Sequence, residues 1–172
     1  MTFSRMVMAA CVATALFMAC NNNDNGMKVI EREKEPDIYQ VKDEDKAMNN
    51  AIATARQSLG IFNTALKSGA DSLQSFSLKV RYDMPDGYGE HIWLNEVSLN
   101  DGVYTGIVNN VPDVITEVKF GDTVTVNNDR ISDWMYLANN KLRGGYTLRV
   151  IMEKMSPEER KKMQEQSGFI IE

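Results

Sequence analysis

The hydrophobic periodicity of the chain changes near residue 70, and this change constrains the fold more than any other feature of the sequence. Between Met48 and Leu66 the apolar residues recur at spacings of four and three, which is typical of one stripe of an amphipathic helix. From Phe76 to Tyr82 the period is two, as in a strand with one buried face. An amphipathic helix followed by strands predicts an α+β domain.

The helix predicted from this stripe has recognisable start and stop signals. Asp43 or Asp45 can cap its first turn, and Gly69 suits its end. Gly60 costs about 1 kcal/mol relative to alanine within a helix and marks a close approach or a break. The spacing also fits a coiled-coil seam, but the stripe is only about three heptads long and lacks flanking ion-pair positions. Packing against a sheet is therefore favoured.

Several later segments have the alternation and composition of strands. Strands are predicted over 76–82, 90–99, 103–108 and 131–137, with shorter candidates at 118–120 and 123–126. Asn100-Asp101-Gly102 closes a hairpin, because aspartate before glycine supplies the positive φ angles that such a turn needs. Residues 139–145 are predicted to be a loop. These segments predict a small antiparallel sheet of four to five strands.

The C-terminal part contains one ambiguous segment and one clear helix start. Residues 146–155 fit both a helical stripe and a strand alternation, and we favour a helix. Ser156-Pro157-Glu158-Glu159 combines a serine cap, a proline at the first position and a glutamate three residues after the cap. A helix is predicted from there to about residue 166, ended by Gly168. The predicted fold thus has an N-terminal amphipathic helix packed on the sheet and one or more C-terminal helices.

The N-terminus has the pattern of a secretory signal. Arg5 is the only charged residue before Asp24, and an apolar run follows it over residues 6–19. This run is too short for a membrane-spanning helix, which needs about 20 apolar residues. It ends at Ala19-Cys20, an arrangement that resembles the lipobox of bacterial lipoproteins. In those proteins the signal is cut before the cysteine, which is then acylated. The alternative is an ordinary cleaved signal that leaves Cys20 as a thiol.

The lipobox divides the chain into a signal peptide over 1–19, a lipidated cysteine with a flexible polar spacer over 20–42, and a single domain over 43–172. Removal of the signal removes Cys11, so the folded part has no cysteine for a disulfide or a thiol nucleophile. By analogy with lipoprotein sorting, Asn21 after the cysteine favours the outer membrane. We therefore expect a lipid-anchored protein of the cell envelope, at its periplasmic or surface face.

The composition excludes several classes of function. One histidine and two cysteines cannot build a multi-histidine or four-thiolate metal site, and no metal or other cofactor is expected. The formal net charge of −5 argues against nucleic-acid binding, which needs a basic face to offset phosphate charge. The expected partners are instead the membrane, through lipid on Cys20, and an envelope protein or a small ligand.

Five short motifs occur in a fixed order across the predicted domain. They are Gly89-Glu90-His91-Ile92-Trp93-Leu94, Gly102 through Gly106 to Pro112, Gly121-Asp122 with Val124, Ile131-Ser132-Asp133-Trp134, and Gly144-Gly145-Tyr146-Thr147-Leu148-Arg149. This ordered set resembles the YegJ-like family of bacterial domains of unknown function (domain of unknown function 2314) over about residues 45–155. The resemblance implies a small α+β domain, often exported, and implies no activity, cofactor or site residue.

The residues offer one candidate for catalysis. Alternation puts His91 and Trp93 on the same face of a strand, while Asp133 lies on a later strand. If the two strands are neighbours, Asp133 can orient His91 as a carboxylate orients a general base. In the alternative interpretation these residues have structural roles. His91 is then a hydrogen-bonded residue of a polar face, and Asp133 is a turn or capping residue. Both tryptophans are core residues.

The residues are compatible with two functions. The first is a non-catalytic binding or protein-interaction module, for which Trp93, Trp134, Arg143 and Arg149 are binding candidates. The two arginines lie near a pair of glycines and can hold an anion. The second is a small hydrolase that uses His91 with Asp133. No nucleophile elbow and no phosphate-binding loop is present in the sequence, which favours the binding module.

Overall fold

The structure is a computed structural model that describes residues 27–30, 38–41, 45–84 and 89–171. Its elements in chain order are β1 (Met27–Ile30), β2 (Ile38–Val41), α1 (Lys46–Gln57), α2 (Leu59–Ser68), β3 (Leu73–Asp83), β4 (Gly89–Asn100), β5 (Val103–Val108), β6 (Thr123–Val126), β7 (Ile131–Ala138), β8 (Lys141–Gly144), α3 (Tyr146–Lys154) and α4 (Pro157–Ser167). A short 3-10 turn, Asn128–Arg130, precedes β7.

Six strands form one antiparallel sheet in the order β6-β5-β4-β3-β7-β8, so the predicted α+β class is confirmed. The predicted count of four to five strands is wrong. β8 was predicted as loop, but Asn139 and Asn140 both take positive φ, at 50° and 62°, and turn the chain back as a hairpin. The strand predicted at 118–120 is absent, because Lys119 and Asp122 bond to each other in a tight turn.

The helix predicted between residues 43 and 69 is two helices, α1 and α2, that meet at Ser58. In a continuous helix the Ala55 carbonyl would accept from the Leu59 amide. It accepts instead from the indole Nε1 of Trp134 at 2.9 Å, and the Ser58 hydroxyl also contacts it at 3.2 Å. The predicted ends are confirmed: Asp45 accepts from the Met48 amide at 3.0 Å, and Gly69 is left-handed.

The core lies between the two N-terminal helices and one face of the sheet. Phe62 of α2 is fully buried, and its ring lies 5.6–6.5 Å from the rings of Phe76, Tyr104, Trp134 and Tyr136. Trp134 is only 2% exposed, so this tryptophan is a core residue and is not available to a ligand. Aromatic contacts of this kind add about 0.5–1.5 kcal/mol each beyond burial.

The C-terminal helices form as predicted. α3 packs on α1. An ion pair joins Lys154, at the end of α3, to Asp45, at the start of α1. Ser156 begins α4 with a capping box to Glu159, and Gly168 ends it in the left-handed conformation. The chain after α4 returns to β8, where the Leu142 amide donates to the Ile170 carbonyl at 2.8 Å.

The segment before the domain contains two strands where the sequence predicts none. β1 and β2 pair as an antiparallel two-stranded sheet within 20–42, where a flexible polar spacer was predicted. Short apolar clusters, isolated among charged residues, carry these strands. The predicted signal peptide and Cys20 lie outside the described residues. None of the helices in the described part of the chain has the length and apolarity needed to cross a bilayer.

Candidate functional site

The face of the sheet that points away from α1 and α2 carries three of the six candidate site residues, His91, Trp93 and Asp133. On β3 and β4 the core side chains alternate with polar ones, and the register places Lys79 opposite Trp93 and Arg81 opposite His91. β7 continues this face after a bulge: Lys79 pairs with Asp133 and Val80 with Ile131, which leaves one extra residue between them. We call this surface the polar face.

His91 is held by that extra residue of the bulge. Its Nδ1 lies 2.7 Å from the hydroxyl of Ser132, which in turn donates to the Lys79 carbonyl at 3.2 Å. Burial, together with the nearby positive charges of Lys79 and Arg81, lowers the pKa of His91 to about 3. The imidazole is therefore neutral and very weakly basic at neutral pH. Ser132 is fully buried, so its hydroxyl is not exposed to solvent.

Asp133 does not orient His91, contrary to the sequence hypothesis. It is fully buried, and its carboxylate accepts from the amides of Trp134 at 2.8 Å, Tyr146 at 3.2 Å and Thr147 at 2.8 Å. The Thr147 hydroxyl also donates to it, at 2.6 Å. Asp133 thus caps the N-terminus of α3, where Gly145 has no side chain to do so. Burial raises the pKa of Asp133, and the bonds from Thr147 and the charge of Lys79 oppose this rise.

Lys79 contacts both the cap formed by Asp133 and Thr147 and the exposed part of the polar face at Trp93. Its Nζ donates to the Thr147 hydroxyl at 3.2 Å and lies 5.4 Å from the centre of the Trp93 ring. Burial lowers the pKa of Lys79, while the nearby carboxylate of Asp133 opposes the effect. Trp93 is half-buried, so part of its surface stays accessible beside the amine.

The two arginines of the predicted anion site have different environments. Arg149 donates from Nε to the Gly144 carbonyl at 3.1 Å and from Nη2 to the Leu142 carbonyl at 3.4 Å, so it stabilises the end of β8. Arg143 is exposed on β8, in register with Tyr136. Arg149 therefore holds the backbone at the end of β8. To bind an anion, its guanidinium would have to give up these hydrogen bonds.

A cavity that sequence reasoning missed lies further along the polar face. Its volume is about 540 Å³, within the usual range for small-molecule sites. It is lined by Ser75, Phe76, Ser77, Asn95, Glu96, Val97, Asn109, Met135, Leu137 and Phe169. We call it the bulge pocket, because β3 and β4 both lose their regular pairing beside it.

Two residues of the bulge pocket have a backbone conformation that is unfavourable for any side chain. Ser75 on β3 and Glu96 on β4 have φ angles of 55° and 48°, at the two irregularities of strand pairing. Such conformations cost on the order of 1–3 kcal/mol each and are concentrated at functional sites. Next to Glu96, the side-chain Oδ1 of Asn95 is buried and has no hydrogen-bond partner among the described residues. The only sign of this site in the sequence is Asn95, a polar residue within the strand β4.

The family model for "Uncharacterized protein conserved in bacteria (DUF2314)" matches residues 45–170. The chain belongs to this family. The resemblance predicted from the five motifs is thereby confirmed, and the match extends through α4. No solved structure matches the chain.

The chain is also similar to two known bacterial proteins. The chain is 33% identical over 115 residues to the uncharacterized protein YegJ of Escherichia coli (strain K12), covering 66% of this chain and 72% of that protein. It is 34% identical over 131 residues to a "Putative ankyrin repeat protein" of Neisseria meningitidis serogroup B, covering 72% of this chain. That stretch is 51% of the Neisseria protein, so the chain spans about half of its length.

The bulge pocket belongs to the DUF2314 domain itself. Every residue that lines it, from Ser75 to Phe169, lies inside the matched range of 45–170. Within the described ranges, no group of three or more His, Cys, Asp or Glu side chains is placed to hold a metal ion. The side chains that line the pocket offer hydrogen bonds, apolar contacts and the carboxylate of Glu96.

Proposed function

We propose that this DUF2314 domain is a non-catalytic binding module and that the bulge pocket is its binding site. The observation that carries the proposal is the buried Oδ1 of Asn95 without a donor. A buried acceptor left unpaired costs about 1–3 kcal/mol, and a ligand that supplies a donor recovers this free energy when the Asn95 amide turns its oxygen toward the cavity. The two strained backbone positions beside it, Ser75 and Glu96, support the same interpretation.

The geometry gives less support to the alternative, a hydrolase that uses His91 with Asp133. A general base near neutral pH needs a pKa close to 7, whereas the pKa of His91 is about 3. The Asp133 carboxylate already accepts four hydrogen bonds, three of them from α3. Both side chains thus have structural roles that account for their positions.

We also propose that the domain is a lipoprotein of the cell envelope, anchored through lipid on Cys20 in the outer membrane. The support is the apolar run that ends at Ala19-Cys20, followed by a polar spacer. The partner of the domain would then be a small ligand or a protein segment of the envelope. Labelling with palmitate should mark the wild-type chain and not the Cys20→Ala variant. A membrane-bound Cys20→Ala protein would contradict the anchor.

The binding site is tested by replacing Asn95 with leucine, which has a similar size and no polar atom. If Asn95 serves a ligand, Asn95→Leu leaves the free energy of unfolding unchanged or raises it by about 1 kcal/mol, because an unpaired buried acceptor is removed. The matched control is Asn63→Leu: Oδ1 of Asn63 accepts from the Tyr104 hydroxyl at 2.6 Å. This control should lose about 1–2 kcal/mol. An equal loss in Asn95→Leu would make Asn95 structural and overturn the proposal.

A further inference from the structure

We infer that the bulge pocket takes a ligand that joins an N–H donor to an apolar group. This inference rests on the proposed function, since it names the chemistry of the ligand for the same site. It predicts that carboxylates and other anions bind this pocket more weakly than amides and amines.

The polar groups of the bulge pocket call for a donor. Oδ1 of Asn95 is an acceptor without a partner, and the Ser77 hydroxyl already donates to the Ser75 carbonyl at 3.3 Å. Glu96, also in the lining, adds a carboxylate and hence a second acceptor. The side-chain NH2 groups of Asn95 and Asn109 can serve a ligand that presents only acceptors, but such a ligand would leave Oδ1 of Asn95 unpaired. An N–H group pairs with this oxygen once the Asn95 amide turns it toward the cavity.

The charge of the lining points in the same direction. None of the ten lining residues is a lysine, arginine or histidine, and Glu96 carries the one formal charge. An anionic ligand would lose its hydration without gaining a counter-charge, and it would be repelled by Glu96. A neutral amide has no such penalty, and a protonated amine is attracted to the carboxylate.

The remaining wall of the bulge pocket is apolar. Met135 and Leu137 of β7 contribute partly buried side chains, and Val97 of β4 is buried. Phe169, which follows the end of α4, lines the cavity from the C-terminal segment. These side chains suit a ring or a branched aliphatic group, and the volume of about 540 Å³ accommodates it with the donor attached.

Three fluorinated probes of one shape separate these possibilities. They are 4-fluorophenylacetamide, 2-(4-fluorophenyl)ethylamine and 4-fluorophenylacetate, which present an amide, an ammonium and a carboxylate on the same ring. Binding to the full chain in detergent micelles is followed by fluorine NMR line broadening. We expect millimolar dissociation constants for the amide and the amine, and binding of the carboxylate at least about tenfold weaker. Glu96→Gln should weaken the amine alone.

Variants link the signal to the pocket. Asn95→Leu should weaken binding of the amide about tenfold or more, while Asn50→Leu, on the exposed surface of α1, should leave it unchanged. Equal binding of the carboxylate and the amide, with loss of both in Asn95→Leu, would overturn the ligand class and leave the binding site standing. The inference would be overturned if none of the three probes binds. It would also be overturned if the amide binds Asn95→Leu as tightly as it binds the wild type.

Discussion

Asp133 and Thr147 are joined twice, because one carboxylate oxygen of Asp133 accepts from both the backbone amide and the hydroxyl of Thr147, at 2.8 and 2.6 Å. This pair connects the bulge of β7 to the first turn of α3. A negative charge there also faces the positive end of the helix dipole. The two sequence motifs at residues 131–134 and 144–149 therefore contact each other in the fold through this pair.

Replacement of Asp133 by alanine should therefore destabilise the domain strongly. Four donors lose their acceptor, so Asp133→Ala is expected to lower the free energy of unfolding by about 3 kcal/mol or more. Asp133→Asn, which keeps one oxygen, should fall between this variant and the wild type. Urea unfolding measures the effect. Asp71→Ala, at an exposed turn, is the control and should stay within about 0.5 kcal/mol. A loss below 1 kcal/mol (about a third of the expected effect) in Asp133→Ala would contradict the cap.

His91 should make the stability of the domain depend on pH between 6.5 and 3. Its pKa is 6.5 in the unfolded chain and about 3 in the fold, so below pH 6.5 the unfolded state binds the proton and the folded state does not. Stability is therefore fully present above pH 6.5 and declines as the pH falls, by up to about 1.4 kcal/mol per pH unit.

The variant His91→Gln isolates this effect, because glutamine can still bond to Ser132 but does not titrate. Between pH 7.5 and pH 5, the wild type should lose about 2 kcal/mol more than His91→Gln in urea unfolding. The carboxylates titrate alike in both proteins, so they cancel in the comparison. Equal losses would mean that His91 is protonated in the folded state.

Local signals in the sequence were sufficient for much of the fold. The period-two pattern of β3, the Asp101-Gly102 turn and the capping box at Ser156 each act over a few residues, and each prediction is confirmed. The break between α1 and α2 was not predictable in this way. It depends on a bond from the Trp134 indole to Ala55, which lies 79 residues away in the sequence.

The candidate site was harder to predict because it depends on bulges. Alternation correctly placed His91 and Trp93 on one face. It could not show that one extra residue in β7 brings Ser132 to His91 and leaves Asp133 for α3. The bulge pocket arises in the same way, from irregular pairing beside Glu96 that no periodicity encodes.

A side chain at Gly144 should destabilise the domain because it would clash with Trp134. Gly121, which also has positive φ but no atom close to its Cβ position, is the control for backbone strain alone. Gly144 and Gly121 both have positive φ, at 73° and 87°, but only at Gly144 would a Cβ overlap the carbonyl and indole ring of Trp134. Gly121→Ala is expected to cost about 1 kcal/mol from strain alone, and Gly144→Ala at least about 3 kcal/mol. Thermal unfolding compares the two. Similar melting temperatures would show that the hairpin of β7 and β8 relaxes around the added methyl group.

Glu90 should control the loop that follows β5 with little effect on the rest of the domain. Its carboxylate accepts from three consecutive amides, at 2.5 Å from Asp113, 3.0 Å from Val114 and 2.9 Å from Ile115. Glu90→Ala removes all three bonds, so hydrogen exchange at these amides should accelerate at least about tenfold. Because this loop is largely exposed, the free energy of unfolding should fall by only about 1–2 kcal/mol. Glu117→Ala, in the same loop and exposed, should leave exchange unchanged. Equal exchange in Glu90→Ala and the wild type would show that the loop keeps its conformation without this carboxylate.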